Sequence, residues 1–93
     1  MTTSNKQRTI DALIASGGVE IAGASKLYRV FRVEWPDGRV YRYLVGRSGA
    51  LRCCRDNEPI AASKSLTGGR LHRHLIAGGT IGNFMSAVAV ERA

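Results

Sequence analysis

Two side-chain pairs in this 93-residue chain could hold a metal or supply a nucleophile: Cys53-Cys54 and His72-x-His74. Cysteine and histidine are zinc ligands, but useful ligand pairs are usually separated by about two to four residues on one face. Adjacent cysteines on a strand point to opposite faces, and histidines two apart on a helix diverge by about 200°. No metal or other cofactor is therefore expected. Cys54, a histidine and Asp56 could be drawn as a triad, but no G-x-S-x-G, H-E-x-x-H or usefully spaced carboxylate pair accompanies them. The chain has only seven acids, mostly in turns and caps. An enzyme is not expected.

The density of arginine is more suggestive. Lys and Arg number 14 against seven acids, for a net charge of +7. Arg29, Arg32, Arg39, Arg42, Arg47, Arg52 and Arg55 crowd between Tyr28 and Arg55, with all three tyrosines, the only tryptophan and Phe31 in the same window. Guanidinium forks match phosphate oxygens, and aromatic faces can stack on bases. Thr67-Gly68-Gly69-Arg70 adds backbone amides at a helix start that could meet an anion. Arg70 and Arg73 continue a basic stretch through Arg-Leu-His-Arg-His-Leu. Arginine stems also pack along half-buried strands without any ligand.

The elements that must position these groups are readable from spacing. Ser4 can cap a helix over 5–16, with Ile10, Leu13 and Ile14 as its apolar stripe and Gly17-Gly18 as its stop. Val19–Ile21 has the composition of a short strand. Pro36-Asp37-Gly38 joins two β-rich runs into a hairpin over 26–46, as a type I turn with a G1 bulge at Gly38. That register sets Trp35 opposite Arg39, Val33 opposite Tyr41, Phe31 opposite Tyr43 and Arg32 opposite Arg42. Leu27, Phe31, Val33, Trp35, Tyr41, Tyr43 and Val45 then face a core. Tyr28, Val30, Arg32, Glu34, Val40, Arg42 and Leu44 face outward, with Tyr28 the one exposed stacking platform. A turn at Arg47-Ser48-Gly49 returns a third strand over 50–54. Ile60–Leu66 fits either a strand or a helical turn behind Pro59. Thr67 can cap a helix carrying Leu71, Leu75 and Ile76. The last segment, with Ile81, Phe84, Met85 and Val88, fits a helix somewhat better than a strand.

The expected fold is thus α+β in one domain over 1–93: an N-terminal helix, a three-stranded antiparallel sheet, and short C-terminal helices or a final strand. No apolar run reaches the roughly 18 residues of a membrane span, so no membrane partner is expected. Two adjacent cysteines make no disulfide framework, which points to a cytoplasmic setting. The leading functional expectation is a small basic module that contacts the phosphates of DNA or RNA. Its contact residues would be Arg32, Arg42, Arg47, Arg52 and Arg55 on the sheet, with Tyr28, and Arg70 and Arg73 as a second patch. The alternative is a small modulator or inhibitor of the phage-encoded kind, docked on an acidic surface of a host protein. A homodimer through the apolar C-terminal stripe is compatible with both.

Overall fold

The computed structural model describes residues 3–84. Helix α1 spans Asn5–Ala15. Ser4 Oγ accepts the Gln7 N–H at 3.1 Å, while the Gln7 amide turns away to Asp11, so only half of a capping box forms. The helix buries Thr9, Ile10, Ala12 and Leu13. This arc swings the expected stripe residue Ile14 outward, and it is 54% exposed.

Five strands follow in a meander of neighbours, all antiparallel: β1 (Val19–Glu20), β2 (Tyr28–Glu34), β3 (Val40–Gly46), β4 (Leu51–Arg55) and β5 (Lys64–Ser65). The sequence implied three. The two further edge strands have two residues each, the first within the strand-like Val19–Ile21 run and the second within the ambiguous 60–66 segment. Short edges also limit pairing with other chains.

Both hairpin turns form as their residues dictate. Gly38 (φ 88°) and Gly49 (φ 92°) occupy the left-handed region that glycine tolerates. Trp35 N–H donates to Arg39 O at 2.7 Å and Gly38 N–H to Trp35 O at 2.9 Å; Gly46, Ala50 and Gly49 repeat the pattern. The register is the expected one, with Phe31 opposite Tyr43, Val33 opposite Tyr41 and Arg32 opposite Arg42.

Helix α2 (Arg70–Ile76) packs with α1 on one face of the sheet. Phe31, Val33, Tyr43, Val45 and Leu51 there meet Ile10, Leu13, Leu71, Leu75 and Ile81 in the main core. Each fully buried aliphatic or aromatic side chain contributes about 1.5–3 kcal/mol. Ser16 ties α1 to the end of the described chain: its Oγ donates to Ala12 O at 2.6 Å and accepts the Ile81 N–H at 3.0 Å. A helical turn begins at Ile81, with Thr80 Oγ1 accepting the Asn83 N–H. The expectation for Met85 and Val88 lies outside the described residues.

The opposite face differs from expectation. Val30, Leu44 and Cys54 form a second buried cluster under Ile21, Ala24, Tyr28 and Ile60. The chain over 56–63, with a 3₁₀ turn at Ile60–Ala62, folds back to cover it. Leu27, expected in the core, precedes β2 and is 75% exposed. Thr67 does not cap α2. Gly69 holds that position, and Thr67 Oγ1 instead accepts the Leu51 N–H at 3.0 Å.

Candidate nucleic-acid interface

The arginine row on the second sheet face is mostly engaged by the fold itself. Arg32 and Arg42 do stand opposite each other. Arg32, however, lies 3.4 Å from Asp56, and Arg42 is half-buried with its guanidinium donating to the Glu58 carbonyl. Arg52 is half-buried too. Its Nε donates to Ser63 Oγ at 2.9 Å and its terminal nitrogen to Ser63 O at 2.6 Å. Facing like charges are offset by carbonyls and a carboxylate of the 56–63 segment, although the buried Arg42 Nε has no hydrogen-bond partner among the described residues. Arg42 and Arg52 fasten that segment over the apolar cluster. Tyr28 is half-buried against the same cluster, and its ring lies against Gly46, so it is not an open platform.

The remaining expected contacts are dispersed. Arg47 is exposed in the β3–β4 turn, at the end of the sheet where Gly49 abuts Lys6. Arg70 and Arg73 are exposed on α2. The amides before α2 are already committed, because Gly68 N–H donates to His72 Nδ1 at 3.0 Å and Gly69 N–H to Leu66 O at 3.0 Å. His72 is buried, and His74 Nε2 lies 2.8 Å from Thr80 O. Among the described residues no group of three or more His, Cys, Asp or Glu could hold a metal ion. Burial, aided by Cys54, pushes the Cys53 thiol up to about 11, so it is protonated at neutral pH and a poor nucleophile.

Among the expected sheet arginines, Arg55 lines an open cleft. The β3–β4 register sets Arg55 opposite Tyr41, and the β2–β3 register sets Tyr41 opposite Val33. This row lies on the helix-covered face, toward the β2–β3 turn. Among the described residues the cover thins there, and Trp35 and Tyr41 are only partly buried at the rim of the core. Arg39, Tyr41, Arg55, Asp56 and Asn57 line a cleft of about 560 Å³. Tyr41 and Arg55 also border a neighbouring hollow of about 320 Å³, with Cys53, Glu58 and Lys64.

The cleft has a mixed charge with a cationic rim. Arg39 is exposed; a hydrogen bond with Tyr41 and the nearby Asp37 carboxylate, 3.1 Å away, raise its pKa further. Asp56 is the one acid lining the cleft, and Arg32 lies beside it. The Arg55 guanidinium has no hydrogen bond or ion pair among the described residues. Below the rim the aromatic rings support one another: Tyr41 lies 5.4 Å from Trp35 and 6.4 Å from Tyr43, both tilted. Trp35 Nε1 donates to Tyr43 Oη at 2.8 Å. Burial raises the Tyr43 pKa, so this hydroxyl stays neutral.

The sequence pattern points to Arg55 but not to Arg39, and it sets Tyr41 inward. The signal was present: two three-residue turns and strict alternation put Arg39, Tyr41 and Arg55 on one face. What alternation does not encode is where the helices stop covering that face. No protein-family model, curated protein or solved structure matches the chain. Among the described residues no helix is long and apolar enough to cross a membrane.

Proposed function

We propose that this chain is a small nucleic-acid-binding module whose contact surface is the cleft at the β2–β3 turn end of the sheet. One observation carries the reading: Arg39 and Arg55 flank Tyr41 on an open cleft, while Arg42 and Arg52 are engaged internally. Arg39 and Arg55 are the phosphate contacts. Arg32 offsets Asp56, so the one acid of the cleft repels a phosphate less. Arg39 exchanges part of its pairing with Asp37 for a phosphate, an exchange that is mild at an exposed site.

Binding of this kind releases condensed counterions. For a single strand the affinity falls with salt with a log–log slope of about −0.7 per phosphate neutralised. Two contacts correspond to a loss of about sevenfold between roughly 50 and 200 mM salt. The test is fluorescence anisotropy with labelled single-stranded and duplex oligonucleotides at both salt concentrations. Binding that weakens by about that factor supports the proposal. No binding of either at low salt overturns it, and leaves an acidic protein surface as the anionic partner to seek.

A further inference from the structure

We infer, on the footing of that reading, that the cleft takes single-stranded rather than duplex nucleic acid, with one unstacked base seated against Tyr41 and its flanking phosphates at Arg39 and Arg55. The first support is depth. The Arg39 side chain is 69% exposed, whereas Tyr41 is recessed and half-buried between two open volumes of about 560 and 320 Å³. A ligand backbone held at the arginines therefore has space below it, at the ring. In a duplex the base faces are closed by stacking, so only phosphates could reach the rim. In a single strand each base has a free face, and stacking on an aromatic side chain is tolerant of sequence.

The second support is rigidity. Tyr41 is braced by Trp35 and Tyr43, and Trp35 is itself fixed by its hydrogen bond to the buried Tyr43 hydroxyl. A ring held this way loses little rotamer freedom on binding, so most of the stacking energy is retained. Arg39 and Tyr41 line the same cleft, which sets a phosphate-binding group beside the stacking ring.

Trp35 is the only tryptophan, and its ring lies 5.4 Å from Tyr41, so its fluorescence reports on the cleft directly. The unmodified protein is titrated with a mixed-sequence single strand, an abasic strand of equal length and a duplex. The intact strand should quench Trp35 and bind about tenfold more tightly than the abasic one. Tyr41→Leu should bring the intact strand down to the abasic affinity, and Tyr41→Phe should keep the preference. Equal affinity for intact and abasic strands, or tighter binding of the duplex, overturns the base seat while leaving phosphate binding in place. Failure of all three ligands to bind overturns the nucleic-acid reading and this inference with it.

Discussion

Arg52→Met tests whether Arg52 holds the fold or belongs to the proposed contact surface. The substitution keeps the apolar stem and removes the guanidinium, and with it two hydrogen bonds to Ser63 at 2.9 and 2.6 Å. Hydrogen bonds to charged groups are worth about 1.5–3 kcal/mol each. Arg52 is half-buried and water competes for it, so we take a value at or below the lower end, about 2–3 kcal/mol for the pair. Ser63, 9% exposed, is left with a poorly solvated hydroxyl and carbonyl. A domain of this size has about 5–14 kcal/mol of stability in all. Each kcal/mol moves Tm by about 4–8 °C, so Tm should fall by about 10–20 °C. Thermal unfolding followed by circular dichroism reads this. Well below its Tm the variant should bind a single-stranded oligonucleotide as the parent does. An unchanged Tm together with lost binding would refute the assignment and return Arg52 to the contact surface.

Other substitutions probe the remaining supports. Ser16→Ala strands the Ile81 N–H and should cost about 1–3 kcal/mol by urea unfolding, with an unchanged m value; no loss of stability would mean that this tie is unimportant. Gly79→Ala would drive a Cβ into the His74 ring, which is held by Thr80 O and lies beside Phe84, so a marked drop in Tm is expected. Stability should also decline in alkali. Burial raises the Cys53 pKa from 9.0 to about 11, so the folded state favours the protonated thiol. Its contribution is complete below pH 9 and is lost as pH rises through 11, and Tyr43 acts in the same direction. Urea midpoints measured across that window check the sign, and Cys53→Ser should flatten the decline.

Much of the sheet was legible because its turns are explicit. Pro36-Asp37-Gly38 and Arg47-Ser48-Gly49 each fix a register, and together they align Val33, Tyr41 and Arg55 in one row. The Ser4 cap and the Gly38 bulge followed from single residues. The rest depended on contacts that leave no local pattern. Alternation assigns Val30 and Leu44 to an outer face, yet they are 1% and 0% exposed because a distant segment covers them. Arg42 and Arg52 looked available for a partner. Their actual partners include backbone carbonyls of residues 58 and 63, and a carbonyl acceptor has no signature in side-chain chemistry. Tyr41 was placed on the correct face, but how far α1 and α2 reach over that face is a tertiary fact.

In the proposed interface, location rather than net charge makes Arg39 and Arg55 the phosphate contacts. We would compare Arg39→Gln/Arg55→Gln with Arg47→Gln/Arg73→Gln, which removes the same two charges elsewhere on the surface. Anisotropy against a single-stranded oligonucleotide is measured at roughly 50 and 200 mM salt. We expect the first variant to lose most of its affinity and nearly all of its salt dependence, and the second to keep both. Equal losses in the two variants would contradict the assignment and reduce the interaction to nonspecific attraction by a cationic surface.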